Sequence, residues 1–342
     1  MMRLRFAAIA ATLLALGTTC AKADAVEEFY KGRLVTIMVG ASAGGGTDAY
    51  ARAIAPYLGQ YLQGHPNIIV KNKWGAGGTI AASWFSNRAE RDGSVMLLTL
   101  SGALMNQVLQ AAGVKYDMSK YRWIGRMADE PKLLTVWNGV AETFEDAKKK
   151  EILLSASGKG STSYLLPTIL NGLFDTKFKV ITGYKGVHKM LFAVEQREVQ
   201  GVSTNLYSIL SRAPHFLLKD RKTTPLVVYN TERLKLFPNV PLATEFAKTE
   251  RQKRVLSLMF GPIALGRSLA FPPGTPDDRV AAMRKAFNTA VADKDFLAFA
   301  KKRRVYIHPA EGEKLDAIVD SVVNAPKEII SATRDLIGTK SK

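Results

Sequence analysis

The chain has 342 residues, of which 47% are hydrophobic and 23% are charged, and its 48 Lys and Arg against 30 Asp and Glu give a formal net charge of +18. The length is enough for two domains with sizeable cores, and the composition excludes an intrinsically disordered or collagen-like chain. The positive charge is compatible with three kinds of partner: nucleic acid, an anionic membrane surface or a small acidic ligand.

The N-terminus has the order of segments found in secretory signal peptides. Two arginines within residues 1–5 precede the apolar run 6–16, and small residues surround a cleavage point after Ala23. We predict that residues 1–23 are removed, or two more at a second Ala-x-Ala, and that the mature protein is exported. The apolar run is too short to cross a membrane, which takes roughly 20 residues, so we expect a soluble protein.

Cleavage after Ala23 would also remove Cys20, the only cysteine, and would lower the net charge from +18 to +15 because three basic residues are lost with it. The mature chain would then form neither a disulfide nor a thiolate metal site. A lipoprotein is the less favoured alternative, since Thr19 stands before Cys20 where a small residue is required. Export also argues against nucleic acid as a partner.

Strands and helices alternate from residue 33 onward. The apolar run 33–39 is of strand length and ends in a glycine-rich turn, after which residues 50–62 carry apolar side chains at helical spacing. Pro56 within this helix predicts a kink or a restart. The same order recurs in a strand at 67–70, a glycine turn at 73–78, a helix at 79–86 and a strand at 95–100. The alternation predicts a mostly parallel sheet flanked by helices.

A second α/β set begins near residue 151. The serine-containing glycine turn 155–161 again separates a strand from a helix, and after a proline-rich turn Val280, Met283 and Phe287 lie on one face of an amphipathic helix. We predict strands at 151–154, 179–181, 199–202 and 225–229, a helix at 164–173 and another that runs to residue 195. The sequence thus indicates a second α/β lobe.

Three glycine-rich turns, at 40–48, 73–78 and 155–161, each precede a predicted helix. A helix N-terminus exposes unpaired N–H groups and a partial positive charge, and glycine lets an anion approach them closely. Each turn alone could simply close a tight connection, but three together predict an anion site. No turn has the Gly-Lys-Ser/Thr ending of a nucleotide loop. Neutral donors favour a carboxylate that needs no contacting lysine: Ser42, Thr47, Asn72, Thr79, Ser157, Ser161 and Thr162.

Catalytic and metal sites are not indicated. The four histidines, His65, His188, His215 and His308, are far apart in the sequence and form no metal-ligand spacing. Residues 40–44, Gly-Ala-Ser-Ala-Gly, have the G-x-S-x-G spacing, but the spacing alone does not indicate a hydrolase, and a Ser, His and Asp set can be drawn from any chain of this length. We predict no catalytic residue, no metal and no cofactor.

Two features leave alternatives open. Basic runs such as 301–304 favour solvated faces, but they could also concentrate an acidic ligand or an anionic bilayer near the protein. Trp74 is either a core or lobe-packing residue or a stacking wall beside the ligand.

Six motifs in order along the chain resemble those of the substrate-binding receptors of tripartite tricarboxylate transporters, also called the Bordetella uptake family. The resembling segments are 43–48, ending in Thr-Asp, 72–78, ending in Gly-Ala-Gly-Gly, 157–161, Ser-Gly-Lys-Gly-Ser, 184–186, Tyr-Lys-Gly, 238–241, Pro-Asn-Val-Pro, and 272–276, Pro-Pro-Gly-Thr-Pro. The chain departs from the family pattern where Ala43 and Trp74 replace prolines and Gln200 replaces an acid. A citrate-like specificity is therefore not transferred.

The resemblance implies an α/β fold, a two-lobe periplasmic binding protein of type II in which a hinge joins two mostly parallel sheets flanked by helices. Lobe 1 is expected at 24–128 plus 258–342 and lobe 2 at 129–257, with crossings near residues 128 and 257. In such receptors the cleft holds a ligand carboxylate largely through backbone N–H groups and water. The predicted ligand-binding residues are Ser42, Gly44, Gly45, Gly46, Thr47, Asp48, Asn72, Trp74, Gly75, Ala76, Gly77, Gly78, Thr79, Ser157, Gly158, Gly160, Ser161, Thr162, Tyr184 and Asn205.

The leading hypothesis is a monomeric periplasmic receptor that captures a small organic acid, a di- or tricarboxylate or another carboxylate, and delivers it to an integral-membrane permease. A ligand sensor without a transport role is the alternative among binding proteins. A secreted hydrolase that uses cleft serines would show turnover instead, and a polyanion-binding protein would show steep salt dependence.

Overall fold

The computed structural model describes residues 25–230 and 233–338, and the predicted signal peptide with Cys20 lies outside the described residues. Within these ranges the chain forms two sheets flanked by helices, as predicted. None of the helices in the described ranges is long and apolar enough to cross a membrane.

One sheet, sheet A, combines strands from the first 126 residues with two strands from the C-terminal part. Its strands are β1 (Leu34–Val39), β2 (Asn67–Asn72), β3 (Val95–Leu98), β4 (Arg122–Arg126), β10 (Ser268–Phe271) and β11 (Ala310–Glu311), in the order β11-β4-β10-β3-β1-β2. Strand β1 pairs in parallel with β2 and β3, whereas β10 runs antiparallel between β3 and β4. The chain therefore returns to sheet A after leaving it.

The other sheet, sheet B, takes its strands from residues 132–229. They are β5 (Lys132–Trp137), β6 (Ile152–Ala156), β7 (Phe178–Thr182), β8 (Gly201–Asn205) and β9 (Thr223–Tyr229), in the order β7-β6-β8-β5-β9. Strand β6 is parallel to β7 and β8, and β5 is antiparallel to both β8 and β9. Two strands of sheet A, β10 and β11, thus run against the other four, and in sheet B only β5 runs against the rest.

The labelled helices pack on both faces of the two sheets. They are α1 (Gly46–Tyr61), α2 (Thr79–Arg88), α3 (Ser101–Val108), α4 (Thr162–Phe174), α5 (Val187–Glu195), α6 (Leu206–Arg212), α7 (Glu250–Leu265), α8 (Asp277–Ala292), α9 (Lys294–Lys302), α10 (Gly312–Val323) and α11 (Lys327–Leu336).

Side chains of the central strands alternate between two cores, as the period of a strand requires. In β1, Ile37 and Val39 pack into a core formed with α1, α8 and α9, whereas Met38 points into a second core. This second core also contains Leu134 of sheet B and residues of α2, α3, α4, α7, α10 and α11, so it is shared by the two lobes. The other face of sheet B packs against α5 and α6.

Two local predictions differ from the structure. The helix α1 continues through Pro56 without a restart. The strand predicted at 199–202 is present but lies further along the chain, at Gly201–Asn205. It begins at Gly201 because the N–H groups of Glu198 and Val199 both donate to the Ala193 carbonyl and complete the end of α5.

The predicted hinge positions fall in different kinds of segment. Residue 128 lies between β4 and β5, where the chain passes from sheet A to sheet B, and residue 257 lies within α7. The backbone of Arg267 pairs with Met127 and Ala128, so the two passages between the sheets lie side by side. The lobe boundaries themselves stay predictions.

Candidate functional site

A cavity of ≈ 130 Å³ lies between the two lobes. This volume is well above the about 10–15 Å³ that one water requires, so it holds several waters or one small organic molecule. Sheet A contributes wall residues that follow β1 and β3, and sheet B contributes residues that follow β6, β7 and β8. The cavity therefore lies at the carboxyl ends of strands, where open α/β sheets bind their ligands.

Four helices begin at the cavity wall. Gly46, Ser101, Thr162 and Val187 are the first residues of α1, α3, α4 and α5, and all four line the cavity. In the described chain none of these helices has a side-chain hydrogen bond at its N-cap. Their first N–H groups and the positive ends of their dipoles are thus available to an anion from both lobes.

The glycine turn 75–78 brings the lobes into close contact. Gly77 has a φ of +64°, and a Cβ atom built on it would lie 1.9 Å from the carbonyl oxygen of Gly160 in the other lobe. The Asn106 amide joins the same contact, since its nitrogen donates to the carbonyls of Ala76 at 3.1 Å and Gly160 at 3.0 Å. Only glycine at position 77 permits this approach.

Buried charges line the part of the cavity next to the passages between the sheets. Glu130 Oε1 lies 3.0 Å from Lys132 Nζ and 3.0 Å from Arg267 Nη2, and the side chains of all three are only 4 to 5% exposed. Ser101 donates to the other oxygen of Glu130 at 3.1 Å. We call Glu130, Lys132 and Arg267 the floor cluster.

The pKa values of the floor cluster follow from burial and mutual charge. Burial alone would raise the pKa of Glu130, but the charges of Arg267 and Lys132, together with the hydrogen bonds from Lys132 and Ser101, hold the pKa below its ordinary value. Burial lowers the pKa of the Lys132 ammonium more than Glu130 raises it. With Glu130 ionised, its negative charge offsets one of the cluster's two basic side chains.

The predicted ligand-binding residues fall into three groups. Those that line the cavity are Ser42, Gly45, Gly46, Thr47, Gly77, Ser157, Ser161, Thr162 and Asn205. A second chamber of ≈ 280 Å³ shares Ser42, Gly77 and Ser157 with the cavity and is also lined by Trp74, Gly75, Ala76, Gly78, Gly158 and Tyr184. The third group lines neither space and consists of Gly44, Asp48, Asn72, Thr79 and Gly160.

Residues of the third group form hydrogen bonds that hold the glycine turns in place. The carboxylate of Asp48 accepts hydrogen bonds from Gly44 N at 2.9 Å, Arg52 Nε at 2.8 Å and Asn72 Nδ2 at 2.9 Å, and Asp48 is buried. Burial would raise the pKa of Asp48, but these hydrogen bonds together hold it below its ordinary value. Thr79 instead accepts a hydrogen bond from Asn106 at 2.9 Å.

Trp74 is not a core residue. Its side chain is 55% exposed, and it lines the second chamber with Lys185 Nζ 5.8 Å from its ring centroid. Because Lys185 belongs to the other lobe, this cation–π contact spans the cleft. The exposure excludes core burial, whereas lobe packing and a stacking wall beside the ligand both stay predictions for Trp74.

Sequence reasoning missed the floor cluster. It expected neutral donors without a contacting lysine, but Lys132 and Arg267 both line the cavity. Each stands directly before an apolar strand segment, Leu-Leu-Thr-Val-Trp after Lys132 and Ser-Leu-Ala-Phe after Arg267. Charged residues are common at exposed strand ends, so the sequence gives no sign that Lys132 and Arg267 are buried. Their burial follows from the pairing of the two chain segments that connect sheet A with sheet B.

The described residues contain no group of three or more His, Cys, Asp or Glu side chains placed to hold a metal ion. His215 pairs with Glu195 at 3.0 Å, and His308 lies 3.3 Å from Asp129. His65 and His188 are exposed.

Comparisons with solved structures show the fold. The periplasmic binding protein BugD has a TM-score of 0.69 at 23% identity, covering 92% of this chain and 100% of that chain. MatC from Rhodopseudomonas palustris, solved with bound malate, has a TM-score of 0.65 at 21% identity, covering 89% and 99%. A further R. palustris protein, solved with adipate, gives 0.67 at 21% identity, covering 90% and 97%. The chain thus has the two-lobe fold of periplasmic binding proteins, as predicted.

Sequence comparisons identify the family. A UPF0065 protein from Bordetella bronchiseptica is 27% identical over 243 residues, which is 69% of each chain. A UPF0065 protein from Agrobacterium vitis, from the TAR-I ttuE-ttuC′ intergenic region, is 27% identical over 168 residues, 47% of each chain. The model of the tripartite tricarboxylate transporter family receptor matches residues 51–334. The predicted resemblance is therefore confirmed, and the chain belongs to the tripartite tricarboxylate transporter receptor family.

Proposed function

We propose that this protein is a periplasmic receptor, exported by a cleavable signal peptide, that captures a small organic acid between its lobes and delivers it to an integral-membrane permease. The observation that carries the proposal is the cavity between the lobes, where four helices without side-chain caps begin. Members of its family are periplasmic solute-binding receptors. Malate and adipate in two structures of the same fold support a carboxylate as ligand.

Capture needs no covalent chemistry. A carboxylate placed between α1 and α4 accepts N–H groups from both lobes, and hydroxyls such as those of Ser42 and Ser157 lie in the same wall. Hydrogen bonds to a charged group contribute about 1.5 to 3 kcal/mol each, so four or five of them, less the cost of immobilising the ligand, reach the roughly −8 kcal/mol of a micromolar site. Ligand that contacts both lobes favours their closed arrangement.

A thermal-shift screen of the purified protein tests the proposal. The panel contains dicarboxylates, tricarboxylates, monocarboxylates and aromatic acids, with sugars and uncharged amides as controls. Ligand at 100 times its dissociation constant adds about 2.7 kcal/mol to the free energy of unfolding, which shifts the midpoint by several degrees.

We expect shifts with acids and none with the controls, and we expect native mass spectrometry to recover the bound acid unchanged. Conversion of the acid would favour the secreted hydrolase instead. A protein free of copurified ligand that responds to no acid would contradict the proposed function.

A further inference from the structure

A separate space between the lobes lies beside the cavity, and arginines line it. Its volume is ≈ 220 Å³, which is enough for a polyatomic ion together with several waters. Gly46 and Ser208 line both spaces and stand between them, since a Cβ atom built on Gly46 would lie 2.8 Å from Ser208 Oγ. We call this space the arginine pocket, after Arg212, Arg303 and Arg304 in its wall.

The three arginines come from both lobes. Arg212 is the last residue of α6, which follows β8 of sheet B, whereas Arg303 and Arg304 directly follow α9, which packs in the same core as α1. Within the described part of the chain no Asp or Glu belongs to the pocket wall, and none of the three arginines forms an ion pair. Their recorded partners are uncharged: Arg212 Nη2 donates to the Gly44 carbonyl at 2.5 Å, and Arg303 lies 5.4 Å from the Phe299 ring centroid.

Helix ends account for only part of this charge. The C-terminal end of a helix is equivalent to about half a negative charge, so the ends of α6 and α9 together offset about one of the three positive charges. The first residue of α1, Gly46, lies in the same wall and adds the positive end of another helix. Asp129 accepts from the Tyr207 hydroxyl at 3.4 Å, but it lies outside the wall and pairs with His308 at 3.3 Å. The pocket therefore keeps an excess of positive charge.

The backbone at Arg304 indicates that the fold alone would favour another residue there. Helix α9 ends in a Schellman motif, in which Val305 N donates to Ala300 O at 2.8 Å and Arg304 N donates to Lys301 O at 3.1 Å. Arg304 occupies the left-handed position of this motif, with a φ of +55°. Glycine is favoured at that position because a side chain is strained in it. We therefore look for the contribution of Arg304 in its side chain, which lies in the pocket wall.

An oxyanion of the phosphate class suits this wall better than a carboxylate does. The planar guanidinium group binds phosphate oxygens through paired hydrogen bonds. A phosphate group carries about −1.5 to −2 charge at pH 7 and three acceptor oxygens, whereas a carboxylate carries a single charge on two oxygens. Ser208 adds a hydroxyl to the same wall.

We propose that the arginine pocket is an anion site, separate from the organic-acid cavity, which binds an oxyanion of the phosphate class between Arg212 of one lobe and Arg303 and Arg304 of the other. An anion held by both lobes favours their closed arrangement. Linkage then requires that the anion and the organic acid strengthen each other's binding by the same factor. The anion site stands without the proposed function, and only this coupling rests on it.

Calorimetry with inorganic phosphate at constant ionic strength tests the site. We expect one saturable site per protein molecule. Arg304→Gly should weaken phosphate binding at least fivefold and leave the thermal midpoint unchanged or higher, because glycine suits the left-handed backbone. Arg212→Gln should weaken it at least fivefold from the other lobe. Lys302→Gln is the matched control, since it removes a positive charge from the same end of α9 but outside the wall, and it should change the affinity less than twofold.

Two sources offer this chemistry, the free ion and a phospholipid headgroup. Cosedimentation with phosphatidylglycerol vesicles distinguishes them. Vesicle binding that Arg304→Gly loses and Lys302→Gln keeps, in a protein that binds no free phosphate, would assign the pocket to a headgroup. Binding from neither source would overturn the site. Equal weakening by Arg304→Gly and Lys302→Gln would also overturn it, because general attraction to the basic surface would then explain the binding.

Coupling to the organic acid is measured with the same proteins. Saturating phosphate should raise the affinity for the acid identified by the thermal-shift screen at least threefold in the unaltered protein and should have no such effect in Arg212→Gln. An unchanged affinity would overturn the role in closure, and a lowered affinity would place phosphate in the cavity and overturn the separate site. If phosphate binds as expected but no acid does, the receptor function fails and the anion site stands.

Discussion

At the scale of single residues, the same side-chain types serve the ligand and the scaffold. Asp48 is the last residue of the glycine-rich turn 40–48 and was predicted to bind the ligand, yet its carboxylate accepts hydrogen bonds from Gly44, Arg52 and Asn72. The Asp48 carboxylate holds Gly44 in place by a hydrogen bond. The two residues that follow Gly44 in the turn, Gly45 and Gly46, line the cavity. Its structural role therefore gives a prediction of its own.

Asp48→Asn should lower the free energy of unfolding by about 1–3 kcal/mol, because one of the three hydrogen bonds would face a donor instead of an acceptor. The pKa of Asp48 is held below its ordinary value of 3.8, so its carboxylate stabilises the fold above that pH and the stabilisation is lost as the pH falls through the lowered folded pKa. Urea unfolding should show the difference between the two proteins shrinking as the pH falls below 4.

Ligand affinity at neutral pH distinguishes a structural role of Asp48 from a direct contact between Asp48 and the ligand. We expect it to change less than threefold in the folded Asp48→Asn variant, since Asp48 does not line the cavity. A tenfold loss of affinity without loss of stability would contradict the structural role and would favour the direct contact that the sequence indicated.

At the scale of elements, the sequence predicts best where a glycine turn marks the junction of strand and helix. The strands β1, β2, β6 and β7 lie where apolar runs ended in such turns. No glycine turn follows the strands β4, β5 and β10 in the sequence. Their formation depends on pairing between segments that are distant in the sequence, such as Leu269 with Gly125. The floor cluster lies at the ends of these elements, which is why sequence reasoning could not place it.

The helix α1 shows the opposite case, in which local chemistry predicted a break that tertiary packing overrides. Pro56 is exposed inside the helix, while Ile54 and Leu58 on the other side are fully buried. Proline removes one backbone hydrogen bond and strains the preceding turn. The buried face compensates for this cost and keeps the helix continuous.

Pro56→Ala should therefore raise the free energy of unfolding, by about 1–2 kcal/mol, because the restored N–H can donate to Arg52 O and the loss of proline rigidity offsets only part of the gain. Pro276→Ala is the matched control: this exposed proline is the N-cap of α8, where no helical hydrogen bond is missing, so the variant should be slightly less stable. Thermal and urea unfolding measure both. A destabilised Pro56→Ala would mean that the proline is matched to a bend on which packing depends.

At the scale of the whole molecule, the lobes share one core behind the cleft and make small polar and aromatic contacts in front of it. Tyr207 and Tyr306 stack across the cleft with centroids 4.5 Å apart, and Arg212 donates to the Gly44 carbonyl from the opposite lobe. Asn106 and Gly77 meet Gly160 beside the cavity. Such limited contacts are typical of lobes that separate and close, and ligand in the cavity adds to them.

The closed arrangement depends most directly on Gly77, because no side chain fits between its Cα atom and the Gly160 carbonyl. In Gly77→Ala the lobes must move apart, because the added Cβ atom would otherwise lie 1.9 Å from the Gly160 carbonyl oxygen. A ligand held by one lobe then loses its hydrogen bonds to the other lobe. We expect at least a tenfold loss of affinity for whichever acid the unaltered protein binds. Small-angle X-ray scattering should show no decrease in the radius of gyration when that acid is added.

The left-handed backbone at Gly77 would itself destabilise an alanine, so a control must share that cost. Gly139 has a φ of +82° with nothing within 4 Å of an added Cβ, and it lies outside the cavity wall. Gly139→Ala should lose about 1–2 kcal/mol of stability, as expected for an alanine in this conformation, and keep both its affinity and its ligand-induced compaction. If Gly77→Ala behaves in the same way, closure does not pass through the Gly77–Gly160 contact, and ligand must bind to an arrangement of the lobes more open than this one.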